Sequence, residues 1–303
     1  MERENVPPSV IKIISTNSPS NKSNELKVMM RSLQESQISR WNIHLESLSV
    51  QKKLLDIIPL ESVSHVWSRI MTSLPAGQLS FIIRAGIDCL PTPMTLYRWR
   101  YRTDSSCNLC KSPYCTVNHI LNGCPTSLSQ GRYTWRHDSV LRNLFQFLGS
   151  NLDTSVSIFA DLNGMRAADT PPSTILLNVL VTTARPDIVV IDDNHIYLLE
   201  LTIPCNMVTN LGNARERKQQ KENYIFKIND LSAKGYFAEL ENIEIGSLGH
   251  FSQYSIDSVH HILPHISKKT ISKNLISMLS TVAISCSYII FKCHNSLDWL
   301  SPT

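Results

Sequence analysis

Asp187 and Glu200 are the residues whose types and spacing first suggest chemistry. Both lie in the run RPDIVVIDDNHIYLLELTIP, Arg185 to Pro204. Ile188 to Ile191 is a β-branched run, Ile196 to Ile203 is mostly apolar, and the turn formers Asp192-Asp193-Asn194 lie between them. A β-hairpin is expected. Its midpoint between Asp193 and Asn194 sets Asp187 opposite Glu200, with Cβ atoms roughly 4.5–5.5 Å apart. Two carboxylates that close repel unless a proton or a cation lies between them. A hard divalent cation such as Mg²⁺ suits the pair. Thr202, two residues past Glu200, shares its face of the strand.

The element after the hairpin has to complete this site. A helix is expected over residues 211–233, where Leu211, Ala214, Lys218, Lys221, Ile225, Ile228 and Leu231 form one stripe. Lys218 and Lys221 occupy the first part of that stripe, where burial calls for apolar side chains. A lysine facing inward needs an anionic partner, and Asp187 and Glu200 are the candidates. Two acids and a lysine are the parts of a metal-dependent phosphodiesterase. The acids hold Mg²⁺, and the lysine orients water or stabilises charge on the phosphate. The plainer alternative is a hairpin with an exposed Asp and a surface Glu.

A second constellation is C-x2-C-x8-H-x4-C, formed by Cys107, Cys110, His119 and Cys124. Three thiols and an imidazole at this spacing close a tetrahedral zinc site, structural rather than catalytic. Cys115 is a spare thiol that breaks the spacing. Four of the eight cysteines fall between residues 107 and 124, which points to a metal in a reducing compartment rather than a disulfide framework. Just before the knuckle, Tyr97, Arg98, Trp99, Arg100, Tyr101 and Arg102 interleave aromatics with arginines, a composition that suits a nucleic-acid backbone with stacked bases. A solvated loop is the alternative. After the knuckle, Arg132, Arg136 and His137 stand close together as candidate nucleic-acid contacts, with Arg136 and His137 placed to meet phosphate; a structural histidine is the alternative for His137.

The elements that hold these groups are read from pattern and composition. The 303 residues are 42% hydrophobic with a formal charge of +4, which permits nucleic-acid binding without requiring it. The N-terminus has no apolar core of a signal peptide, and no stretch of eighteen apolar residues marks a membrane span. Residues 1–24 read as a disordered lead-in. Residues 25–104 read as a helical linker region with Trp41 and Trp67 as core anchors and a short helix over 81–90. Residues 105–150 hold the knuckle and the Arg-His helix. In 151–303, residues 151–172 read as irregular, 176–181 as a strand, 236–245 as a strand, 246–249 as a turn and 256–291 as mainly helical with a break at Pro264. The fold class is α/β, a mixed sheet flanked by helices. No phosphate-binding glycine loop, Ser-His-Asp signature or dinucleotide fingerprint is present.

LPTPMTLYRW, the knuckle, QGRYTWRHDSVL, RPDIVVIDD…IYLLELTIP, ARERKQQK and EIGSLGHF occur in that order. Together they resemble the C-terminal part of non-LTR retrotransposon polyproteins of the restriction-like-endonuclease lineage, over residues 25–300. The resemblance implies a restriction-endonuclease-like sheet domain over 151–303 that nicks target DNA so that the free 3′ end primes reverse transcription. It implies that Asp187 and Glu200 hold the catalytic Mg²⁺ and that Lys218 or Lys221 is the catalytic lysine. It implies that the zinc knuckle and Arg136-His137 contact nucleic acid. The partners implied are DNA, the element's RNA and the polymerase of an intact element, in the nucleus and with no membrane. Thr202 stands where many restriction-type nucleases keep their lysine, and the family's Lys-Tyr pair is here Lys221-Glu222-Asn223-Tyr224. No polymerase palm precedes the knuckle, so the expectation is a fragment unable to reverse transcribe.

Overall fold

A computed structural model describes residues 22–48, 64–165, 186–204 and 222–302. The chain divides into two compact units, residues 1–54 and 55–303. In the first, helix α1 (Lys22–Ser47) is described. Leu26, Ile38, Trp41 and Ile43 on it are all more than half exposed. Trp41 is therefore no core anchor, because no other described element of its unit offers a face to bury it.

The second unit opens with three short helices, α2 (Ser64–Ser73), α3 (Ala76–Gly86) and α4 (Pro93–Arg98). Trp67 on α2 is buried, as expected. The helix expected over 81–90 is α3, displaced toward the N-terminus. It ends before Asp88, whose φ of 54° lies in the left-handed region. Helix α4 starts on Thr92, whose side chain accepts from the Thr95 N–H, with Pro93 at the first helical position. A π-helical turn (His119–Gly123), α5 (Pro125–Ser129) and the long α6 (Arg132–Asn151) follow.

Strand β1 (Ser157–Ala160) comes next, inside the stretch expected to be irregular. Its four residues are too few to show an alternating pattern. The hairpin is β2 (Ile188–Asp192) and β3 (His195–Thr202), with Ile188 opposite Leu199 and Asp192 opposite His195. The expected register is the observed one. Asp193 turns the chain at φ 49°, a conformation Asp tolerates better than most residues. Helix α7 (Glu222–Ala233) then leads to β4 (Phe237–Glu244), which lies parallel to β3. The sheet order is β1-β2-β3-β4, antiparallel except for the last pair.

Helix α8 (Gln253–Ile262) follows the turn after β4. The last helical run is α9 (Lys268–Ile271), a π-helical turn (Ser272–Ile276) and α10 (Ser277–Lys292). By length and composition Lys268–Lys292 could cross a membrane, which the count of unbroken apolar residues did not register. In this fold 56% of its most apolar window is buried, and α10 packs against α2, α3 and α6 as the core helix. Gly249 is required beneath it, since at φ 82° any Cβ there would come 2.6 Å from Ile284 Cδ1.

Alternation sorts the sheet into two faces. Ile188, Val190, Leu199, Leu201 and Ile243 join the main core with α6, α8 and α10. Val189, Ile191, Ile196 and Leu198 form a second core with Leu231 of α7. Covering both faces explains why all of Ile188 to Ile191 is buried. The cysteines of the knuckle belong to the main core too. The boundaries expected near residues 104 and 150 thus fall within one compact unit, α6 running through the second. The expected lead-in up to residue 21, the strand at 176–181 and the stretch 205–221 with both lysines lie outside the described residues.

Candidate functional site

Cys107, Cys110, His119 and Cys124 converge, with one ligand atom from each within 4.8 Å of all the others. Cys107 Sγ is 3.9 Å from Cys124 Sγ, and Cys110 Sγ is 3.3 Å from His119 Nε2. A tetrahedron with metal–sulfur bonds of about 2.3 Å has sulfur–sulfur edges of roughly 3.8 Å. The donor set and its spacing fit zinc. Local folding explains the convergence. The Cys107 N–H donates to the Ser112 carbonyl and the Lys111 N–H to the Cys107 carbonyl, a tight turn closed by Lys111 at φ 61°. Burial lowers the pKa of His119, favouring the neutral imidazole that binds metal. Cys115 is fully buried but is not one of the four groups that converge, and burial pushes its thiol well above the usual range.

Polar contacts tie this cluster to the sheet. The Cys124 N–H donates to Tyr133 Oη, and the Tyr133 hydroxyl donates to the Ile120 carbonyl. Burial raises the Tyr133 hydroxyl to about 12. Asn122, in the π-helical turn, accepts from Arg136 Nη2 at 2.9 Å and donates to Ser247 Oγ at 3.3 Å. Arg136 Nη1 reaches Ser287 of α10. The Ser247 N–H donates to the Pro204 carbonyl just past β3. The cysteine and histidine cluster is therefore braced against the C-terminal ends of β3 and β4.

The hairpin acids lie at that same end. Continuing the register by one step from Ile188 and Leu199 sets Asp187 opposite Glu200. Asp187 is in a bend outside the ladder. Its Oδ2 accepts from the Leu201 N–H at 2.7 Å, so the carboxylate takes the place of the next main-chain acceptor. Glu200 is 3% exposed. The expected close pair thus holds in register, while Asp187 turns partly to the main chain. Both groups offer only oxygen, which fits a hard cation. Lys218 and Lys221 lie outside the described residues.

His137 on α6 is the neighbour that spacing did not reveal. Its Nε2 is 3.4 Å from Asp187 Oδ2 and its Nδ1 is 3.2 Å from Asp138 Oδ1. Burial opposes the charge on His137, but the hydrogen bonds to Asp138 and Asp187 outweigh it and raise its pKa to about 9. The cysteine and histidine cluster is the one group of three or more potential metal ligands gathered this tightly among the described residues.

The arginines divide. Arg132 is fully buried; its guanidinium donates to Gln130 Oε1 and to the carbonyls of Cys293 and Ser296, and stacks on Trp299 at 4.9 Å. Arg136 is also buried, on Asn122 and Ser287. The expectation that these two meet phosphate is corrected: burial and internal hydrogen bonds turn them into braces. Their spacing carried the signal, since 132, 136, 140, 144 and 148 form one helical stripe with Val140, Leu144 and Leu148. Arg98 is exposed and pairs with Asp88 at 2.8 Å, Arg100 is exposed, and Arg102 is half-buried beside Asn108. Tyr97, Trp99 and Tyr101 around them are exposed.

Comparison of the chain with protein-family models and with curated proteins gives no match.

Proposed function

We propose that the chain is the zinc-stapled, Mg²⁺-dependent DNA endonuclease part of a non-LTR retrotransposon polyprotein, nicking one strand of a duplex. The observation that carries this reading is the register that brings Asp187 and Glu200 together at the sheet end braced by the metal cluster. A restriction-endonuclease-like fold is the finer reading of the sheet, and the β2–β3 hairpin followed by α7 and a parallel β4 supports it. When bound, Mg²⁺ supplies charge stabilisation for the phosphate and acidifies a water. Asp187 and Glu200 hold it. The Leu201 N–H and His137 fix the Asp187 carboxylate in place. Lys218 or Lys221 steadies the scissile phosphate. The partners in this reading are DNA, the element's RNA and an intact element's polymerase, in the nucleus.

The test is nicking of supercoiled plasmid by purified zinc-loaded protein, with and without Mg²⁺. Asp187→Asn should abolish nicking and leave zinc content and DNA retention unchanged. A mutant that nicks as fast as the parent would falsify the metal assignment.

A second reading is a nucleic-acid-binding remnant without turnover. Exposed Tyr97, Trp99 and Tyr101 interleaved with Arg98 and Arg100, just ahead of the metal cluster, favour it. It requires affinity that falls steeply with salt and no Mg²⁺-dependent product.

A further inference from the structure

The second face of the sheet changes character along its length. Leu198 pairs with Leu240 in the parallel β3–β4 ladder, and both pack in the core beneath α7. The next rung on that face is Glu200 with Asn242, and the one after is Thr202 with Glu244. A face that needed only filling would continue with leucine.

Asn242 is 1% exposed, and among the described residues neither its side-chain oxygen nor its nitrogen has a hydrogen-bond partner. Thr202 Oγ1 is likewise buried and without a partner among the described residues. The two orphaned groups flank Glu200, one across the ladder and one along the strand. Buried amides are nearly always satisfied, because leaving them unpaired forfeits their hydration. Neighbouring strands run about 4.8 Å apart, so Glu200 and Asn242 stand side by side on β3 and β4, and Asp187, one residue before β2, comes next to Glu200 when the β2–β3 register is continued by one step.

We propose that Asn242 is a further residue of the carboxylate site, giving its side-chain carbonyl to the divalent cation or its water shell and its amide N–H to a phosphate oxygen. This rests on the endonuclease reading and adds a residue to it. The chemistry of an amide suits such a role. A neutral amide adds a hard oxygen ligand without adding a third negative charge beside two carboxylates. It also offers a donor, which a carboxylate lacks. Thr202 extends the same polar row past Glu200.

The experiment compares full-length zinc-loaded parent, Asn242→Leu and Asn242→Asp. Thermal midpoints are measured with and without Mn²⁺, and Mn²⁺ binding is followed by calorimetry alongside Mg²⁺-dependent nicking. Leucine branches at Cγ as asparagine does, is bulkier, and removes the unpaired amide. The expected result is an unchanged or higher midpoint without cation, Mn²⁺ binding weakened roughly 10- to 100-fold, and a matching rise in the Mg²⁺ needed for nicking. Asn242→Asp should lower the midpoint without cation, through like-charge repulsion, and gain more than the parent when Mn²⁺ is added.

A purely structural role would give the opposite pattern. If Asn242→Leu loses stability yet binds Mn²⁺ as the parent does, or if Asn242→Asp gains no more from Mn²⁺ than the parent, the amide is structural and the proposal falls. If both variants bind Mn²⁺ as the parent does, the proposal falls while the endonuclease reading stands. A parent that neither binds Mn²⁺ nor nicks overturns both.

Discussion

His137 Nε2 stands 3.4 Å from Asp187 Oδ2, although fifty residues separate the two in the chain. The contact joins α6, whose other side chains build the core behind the sheet, to the first acid of the hairpin. Its neighbour Arg136 points inward to Asn122 and Ser287. Two adjacent residues on one helix thus divide the work: Arg136 braces the cysteine and histidine cluster through Asn122, and His137 holds the carboxylate.

The cation-free protein should keep His137 charged through neutrality. Its folded pKa of about 9 lies above the ordinary 6.5, because hydrogen bonds to Asp138 and Asp187 outweigh its burial. A group raised on folding contributes stability that is fully present below pH 6.5 and is lost as pH rises toward 9. An NMR titration of the imidazole in the parent, and midpoints against pH for the parent and His137→Asn, check this. The parent should lose its advantage over the mutant between pH 6.5 and about 9. An imidazole titrating near 6.5 would show that the pair does not form in solution.

Zinc should be bound at one ion per chain and should be structural. The ligand loop lies in the core of the 55–303 unit, so losing the ion exposes the core rather than a detached module. Cys107→Ser or chelation is expected to lower the thermal midpoint by roughly 10 °C or more. Cys115→Ala should keep the ion and cost only about 1–2 kcal/mol of packing. Cobalt substitution separates the two cases, since three thiolate ligands give an intense charge-transfer band that Cys115→Ala leaves intact.

What could be read from the sequence was local. The hairpin register followed from a period of two and a turn centre, and the cysteine cluster from spacing. Tertiary partners were not legible. Nothing in RYTWRHD announces that His137 meets Asp187, because that contact depends on how α6 lies over the sheet. The arginines were misread because a charged side chain suggests surface, whereas Arg132 and Arg136 continue the buried stripe of Val140, Leu144 and Leu148. Trp41 erred the other way: a large aromatic suggests core, yet it is 61% exposed on a helix with no second described element in its unit.

Asn122 should behave as a structural link and not as a ligand. It connects Arg136 to Ser247, and so the π-helical turn to the segment after β4. Asn122→Ala removes an acceptor from a buried guanidinium and should cost about 1.5–3 kcal/mol. Zinc content should remain at one per chain. Denaturant midpoints and metal analysis test both halves, and loss of zinc at unchanged stability would contradict the assignment.

Arg132→Ala and Arg100→Ala should fail in different assays. Arg132 is fully buried, and its loss removes the guanidinium donor from Gln130 Oε1 and the Ser296 carbonyl and leaves the Cys293 carbonyl with the Ser296 N–H alone, beside a vacated face of Trp299. A cost of about 3 kcal/mol or more in unfolding free energy is expected. Nucleic-acid affinity of the fraction that remains folded should hold. Arg100 is exposed among Tyr97, Trp99 and Tyr101. Its removal should leave stability within about 0.5 kcal/mol and reduce the salt dependence of binding by about one charge. Urea unfolding and salt-titrated binding to a single-stranded oligonucleotide measure the two quantities independently. Equal affinity and equal salt slope for Arg100→Ala and the parent would leave this loop with no part in nucleic-acid binding.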